Sequence, residues 1–272
     1  MGYIPVYTYF LQTVRKTLII TRRKEDYRKL QLGKIIYLSA KQSYNWQSGG
    51  NINLGVLTLL IPLIALYTAA REKNIKDQDK LRKELHLIVN STTVEDAVYF
   101  YKTVNLVKPG GLGGSSEYDI TDPSFTSKIR RDHKTLYDLF EISGKWDSIS
   151  KEWLTSYQIT YTIGEPEFTS TLNETKDINT ATVHTFLKIL STTPDSLIKR
   201  KTDEQTAEKI TLKAREALKL GGLKTIEGRE YIMKLDAELQ KSKGLLNPGS
   251  TADLTAASIM AALSKENKLP IY

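Results

Sequence analysis

The segment "LGVLTLLIPLIALYTAA", residues 54–70, carries no charged residue. A helix that is apolar on every side must be buried on every side, either within a protein core or within a lipid bilayer. At 1.5 Å per residue its 17 residues rise about 26 Å, short of the ~30 Å hydrocarbon core of a membrane, and Pro62 stands in its middle. The expectation is a helix at the centre of a helical core, with other helices wrapped around it, and no membrane span.

The flanking sequence has the matching period. "TYFLQTVRKTLIITRRK", "YRKLQLGKIIYLSAKQSY", "DQDKLRKELHLIVN" and "TTVEDAVYFYKTVNLV" repeat apolar residues at three- and four-residue spacing. In the last of these, Thr92 or Thr93 is the expected N-cap, with Glu95 and Asp96 in the first turn, where carboxylates favour the positive helix end. "DHKTLYDLFEISGKWDSISKEWL" reads as one long helix or two short ones, and "DINTATVHTFLKILST" ends before Pro194. "TDEQTAEKITLKAREALKLGG", with its Gly-Gly stop, "TIEGREYIMKLDAELQKSKG" and "STADLTAASIMAALSKE" complete the helical pattern. Two stretches break it. Residues 105–125 hold a glycine-rich loop too long for a simple connector. "YQITYTIGEPEFTSTL" alternates like a short β-hairpin with its turn at Gly164-Glu165-Pro166. The expected architecture is all-α: one domain over residues 1–272, a bundle of about ten helices with a glycine-rich loop and one short β-hairpin.

Composition narrows the chemistry. The absence of cysteine removes disulfides and thiolate metal sites and favours a cytoplasmic setting. The three histidines, His86, His133 and His184, are far apart and form no zinc-hydrolase motif. At the amino end, Arg15 and Lys16 interrupt the apolar stretch, which is not the pattern of a signal peptide. Position 6 is Val, so the myristoylation pattern fails as well. A net charge of +8 suits an anionic partner such as a nucleotide or coenzyme, or serves solubility alone. Charges are spread along the chain and aromatics do not interleave with a basic stripe, so nucleic acid is not the expected partner.

Four stretches carry more Gly, Asn and Asp than helix packing requires. In "WQSGGNINLG", Gly49 and Gly50 permit close backbone approach, and Asn51 and Asn53 precede the apolar helix. Exposed N–H groups at a helix start favour phosphate, although a plain helix–helix turn with an Asn cap needs the same residues. In "KPGGLGGSSEYD", Lys108 adds a cation to a loop containing Gly110, Gly111 and Gly113; it lacks the Gly-Lys-Ser/Thr of a Walker A loop and is equally readable as a flexible loop. In "TPDSLIKRK", Thr193 reads as N-cap and Pro194 as the first helical residue, with Asp195 in the first turn and Lys199-Arg200-Lys201 one turn on. In "LLNPGSTADLTAASIMAAL", Ser250 and Asp253 have capping-box spacing. The functional alternative is that Asp195 and Asp253 are carboxylates for Mg²⁺, which uses one or two of them together with substrate phosphates.

In this order the four stretches resemble the triphosphoribosyl-dephospho-CoA synthase family, most closely its archaeal branch. "GGNINLG" followed by "LLIPL" is similar to the family's GGNTNLG-like segment before an apolar helix. "PGGLG" at residues 109–113 resembles its glycine loop, "PDSLIKRK" at 194–201 its PDT/S-L-I-x-R-K segment, and "NPGSTADLTAA" at 247–257 its closing NPGTTADLTAA. "TTVEDAVYFY", "WDSISKEW" and "ALKLGG" also look like family positions. The likeness runs over roughly residues 30–265. The family's opening Lys-Pro-Gly-Asn-Val-His-type motif has no counterpart here, and the expectation is a chain shortened at its amino end by a few tens of residues.

What the resemblance implies is a cytoplasmic, ATP-dependent transferase. The 2′-hydroxyl of 3′-dephospho-CoA attacks C1 of the ATP ribose, adenine leaves, and the triphosphate stays attached. The product is the precursor of the prosthetic group of citrate lyase and malonate decarboxylase carrier proteins. The implied partners are ATP, brought with Mg²⁺, and 3′-dephospho-CoA, with a homodimer as a possible assembly. Asp195 and Asp253 are the implied metal or ribose ligands. Gly49, Gly50, Asn51, Asn53, Lys108, Gly110, Gly111, Gly113, Arg200, Lys201, Asn247, Gly249, Ser250 and Thr251 line the nucleotide, and Asp147 and Glu152 are reserves for acid–base work. A related transferase with another acceptor, in coenzyme or pterin-cofactor synthesis, and a non-catalytic nucleotide or coenzyme binder stand as alternatives.

Overall fold

The computed structural model describes residues 4–45, 53–110, 118–119 and 122–265. Among these are fourteen α-helices and no strand, so the all-α class is as the periodicity requires. The chain divides into two compact units, Met1–Lys145 with Ile149–Ser156, and Trp146–Ser148 with Tyr157–Tyr272.

The first unit contains α1 (Ile4–Arg23), α2 (Leu32–Asn45), α3 (Leu54–Glu72), α4 (Gln78–Asn90), α5 (Val94–Val107), α6 (Phe125–Arg131), α7 (Leu136–Ser143) and nearly all of α8 (Ser148–Leu154). The apolar segment is α3, and α1, α2 and α4 pack on it. Leu59, Ile61, Leu63, Ala65, Leu66 and Ala69, which span more than half the circumference of the helix, are fully buried, and Leu57 and Tyr67 on the remaining side are nearly so. Pro62 lies within α3 without ending it. Proline has no N–H for the carbonyl four residues back, so the Thr58 carbonyl loses its helical donor. The buried Trp153 of α8 supplies the replacement: its indole N–H donates to Thr58 O at 3.1 Å. Trp153→Phe keeps most of the apolar bulk but orphans that carbonyl. It should cost about 1–3 kcal/mol in urea unfolding, the range for a buried group left without its partner. A cost below a few tenths would show that the bond contributes nothing.

A second device sets the direction of α2 against α5. Thr93 and Asp96 form the expected capping box of α5. Asp96 Oδ2 accepts from the Thr93 N–H and hydroxyl, both at 2.8 Å, while Oδ1 accepts from the Gly33 N–H of α2 at 2.9 Å. One buried carboxylate thus caps two helices. A turn further on, the Tyr37 and Tyr99 rings meet at 5.7 Å. The amino ends of α2 and α5 are therefore side by side and the helices run parallel, which sends their carboxyl ends, Asn45 and Val107, to the same end of the pair.

The second unit contains α9 (Glu165–Thr175), α10 (Ile178–Thr192), α11 (Ser196–Lys201), α12 (Glu204–Lys219), α13 (Ile226–Lys241) and α14 (Gly249–Lys265). Leu187, Leu190, Ile198, Ala207, Ile210, Ala214 and Ala217 form the core between α10, α11 and α12. Phe168, Ala181 and Ala262 form another where α9, α10 and α14 meet.

The expected hairpin is absent. Thr160–Gly164 is a π-helical turn that runs into α9. Tyr157, Tyr161, Gly164 and Phe168 are all buried, so one helical stripe at three- and four-residue spacing imitates the alternation of a strand. Pro166, read as the turn breaker, is instead carried within the continuous helix, directly after the π-helical turn. Gly164 is required by packing: a Cβ there would lie 2.0 Å from Ser258 Oγ on α14. Of the other helices, α6 was not expected, α11 is the short helix that "TPDSLIKRK" suggested, and α8 separates from α7 after Gly144, which gives the two-helix reading of that stretch.

Candidate functional site

In the second unit the folded chain brings "PDSLIKRK" and "NPGSTADLTAA" together. Thr193 is not the N-cap that its neighbour Pro194 suggests; it closes α10, and Asp195 is the N-cap of α11. Asp195 Oδ1 accepts from the Leu197 and Ile198 N–H groups at 2.8 and 3.0 Å. Its Oδ2 crosses to α14 and accepts from the Thr251 N–H at 2.7 Å and the Thr251 hydroxyl at 2.8 Å. Ser250 is likewise not an N-cap. The helix already starts at Gly249, with the Pro248 carbonyl accepting from the Ala252 N–H, and the cap for α14 comes from Asp195 instead of from its own sequence. Asp195 is 2% exposed. Burial pushes its carboxyl above the ordinary value, and the bonds from Thr251, Ile198 and Leu197 oppose that shift.

Beside this clamp runs a buried serine chain. The Ser148 N–H donates to Ser196 Oγ at 3.1 Å, and Ser196 Oγ shares a hydrogen bond with Ser250 Oγ at 2.8 Å. The starts of α8, α11 and α14 are thereby joined through hydroxyls. Ser148 and Ser196 did not stand out in the sequence. Ser196 lies inside a motif whose aspartate and cations drew attention first, and nothing local marks Ser148 as a partner. Asp147, just before α8, accepts from Arg200 Nη1 at 2.8 Å. Lys201 donates to Gly244 O at 2.8 Å and Lys199 pairs with Glu204 at 2.6 Å. Asn247 is exposed at the approach to α14, and its carbonyl accepts from the Gly249 N–H. A Cβ on Gly249 would stand 2.7 Å from Leu197 Cδ2, so a larger residue there would have to displace the end of the Leu197 side chain.

Asp253, expected in the first turn, is the fifth residue of α14 and lies just past that turn, because the helix starts at Gly249; it is half-buried. Two residues beyond Thr251, it is turned about 200° around the helix at 100° per residue, so it does not share Thr251's face. Asp195 and Asp253 therefore belong to one helix start without forming a side-by-side pair. A carboxylate offers about four lone-pair sites, and four donors already occupy those of Asp195. Among the described residues no three His, Cys, Asp or Glu side chains form a cation cluster.

The first unit holds the remaining candidates. Asn53 stands at the N-cap position of α3 in the left-handed region, exposed, without a side-chain cap bond. Lys108 closes α5, also left-handed and exposed, and Gly110 is exposed beyond it. These positions leave the parallel α2/α5 pair and start α3. Gly49, Gly50, Asn51, Gly111 and Gly113 lie outside the described residues. Glu152, on α8 in this unit, is 1% exposed. An open surface cleft of about 510 Å³ on α4, lined by Asp79, Arg82, Lys83, His86, Leu87 and Ser156, contains none of the candidates.

The model of the ATP:dephospho-CoA triphosphoribosyl transferase family matches residues 6–270. The chain belongs to this family. A crystal structure described as that of a candidate triphosphoribosyl-dephospho-CoA synthase from Archaeoglobus fulgidus has a similar fold, with TM-score 0.69 and 22% identity over 97% of each chain. No curated protein matches. The Asp195–Thr251 clamp thus sits among the described residues of a transferase-family fold, where it ties together the last two of the four sequence motifs.

Proposed function

We propose that this family member transfers the 5-triphosphoribosyl group of ATP to the 2′-hydroxyl of 3′-dephospho-CoA. The hydroxyl oxygen forms the new bond to C1 of the ATP ribose, the C1–N9 bond breaks, and the electron pair leaves with adenine. The hydroxyl proton is removed and adenine is released protonated. The observation that carries the reading is the Asp195–Thr251 clamp, which joins two family motifs 56 residues apart at the shared start of α11 and α14. Mg²⁺ enters as part of the substrate Mg-ATP and offsets triphosphate charge. Arg200 and the α14 start are the proposed triphosphate contacts, Asp253 the carboxylate facing metal and ribose, and Asp195 the group that holds the two helix starts in register.

Chromatographic measurement of adenine from Mg-ATP, with and without 3′-dephospho-CoA, tests this directly. Adenine should appear only when both are present, in amounts equal to the triphosphoribosylated product. Adenine formed without the acceptor would indicate hydrolysis. Bound ATP with no adenine under either condition would remove the proposed acceptor.

A further inference from the structure

Arg200 is held in an unusual way for a surface cation. Its Nη1 donates to Asp147 Oδ1 at 2.8 Å, and the two side chains are only 29% and 13% exposed. One residue on from Asp147, the Ser148 N–H donates to Ser196 Oγ, and Ser196 lies one helical turn before Arg200 on the same face of α11. The ion pair and the serine bond are two rungs of one ladder between the start of α8 and α11, which fixes Asp147 relative to Arg200.

A guanidinium carries five N–H donors in a rigid fork. Among the described residues the bond to Asp147 is the one that engages Arg200, so the Nε–Nη2 edge keeps its donors. Its basic neighbours differ. Lys199 is drawn to Glu204 and Lys201 to the Gly244 carbonyl. A guanidinium anchored on one side by a carboxylate, with an unused bidentate edge, suits a phosphate oxygen pair. The carboxylate on the other side also removes most of the rotamer freedom that a free arginine would lose on binding.

Resting on the reading of the reaction above, we propose that Asp147 is a positioning residue, not an acid–base group: it holds Arg200 with its Nε–Nη2 edge presented to the polyphosphate of the nucleotide.

The test is a double-mutant cycle on binding of inorganic tripolyphosphate, measured by calorimetry at low ionic strength, with urea midpoints to verify folding. Arg200→Ala and Asp147→Ala should each weaken tripolyphosphate binding by about tenfold, equivalent to ~1.4 kcal/mol. Asp147→Asn keeps an acceptor oxygen for Nη1 and should stay within about threefold of wild type. The double alanine variant should bind no worse than Arg200→Ala alone, because Asp147 acts only through Arg200. Wild-type affinity in Asp147→Ala, additive losses in the double variant, or no tripolyphosphate binding by the wild type would each overturn the proposal. So would loss of adenine release with tripolyphosphate affinity unchanged, which would return Asp147 to acid–base work. Because tripolyphosphate binding needs no acceptor, a wild type that binds it with this mutational pattern yet releases no adenine would refute the reaction and leave the positioning role standing.

Discussion

Asp195→Ala is expected to lower the stability of the protein by about 3 kcal/mol and to abolish adenine release. The substitution removes the N-cap of α11, a loss of about 0.5–2 kcal/mol by itself. It also strands the buried Thr251 N–H of α14, and a buried donor without a partner costs about 1–3 kcal/mol more. Asp195→Asn should fall between wild type and alanine. Its single carbonyl oxygen can serve either the Leu197 and Ile198 N–H groups or the Thr251 pair, and its amide then faces donors on the other side. The urea midpoint should drop with the slope unchanged, since the same surface is exposed on unfolding. A shift below about 0.5 kcal/mol would mean that the two helix starts hold together without the carboxylate. Full stability with lost activity would instead assign Asp195 a chemical role.

Gly33→Ala should be as damaging, at about 3 kcal/mol, although it exchanges the poorest ordinary helix former for the best. Helix propensity alone favours alanine by about 1 kcal/mol. Geometry decides the other way: the added Cβ would lie 2.2 Å from the Asp96 carbonyl oxygen and 2.6 Å from Asp96 Cα. These are backbone atoms of α5 and cannot rotate aside. Relief requires α2 to move off α5, which stretches the 2.9 Å bond from the Gly33 N–H to the shared capping carboxylate. Overpacking of this kind costs about 1–3 kcal/mol, and the weakened cap adds to it. Chemical denaturation measures the effect; a stabilised Gly33→Ala protein would show that the helices separate easily and that propensity governs.

Much of the fold follows from local pattern. The uncharged run of α3 had to be buried, the cap of α5 was narrowed to Thr92 or Thr93, of which Thr93 serves, and the Gly-Gly after α12 ends it. The hairpin was misread because Tyr157, Tyr161 and Phe168 satisfy two periods at once, and a proline can be carried within a helix as well as break one. The caps at Thr193 and Ser250 were misplaced for another reason: local rules find the nearest suitable side chain, whereas Asp195 serves its own helix and one 56 residues away.

The sequence by itself determined the all-α class, the central buried helix and the ordered motifs of the family, because period, charge and motif order are properties of residues near one another in the chain. Only the tertiary structure decided that Asp195 is a four-donor clamp, that Asp147 faces Arg200, and that Trp153 repairs the gap left by Pro62. Each of those depends on which buried donor reaches which acceptor across helices, and the cost of leaving one unpaired is paid in three dimensions, where spacing along the chain carries no information.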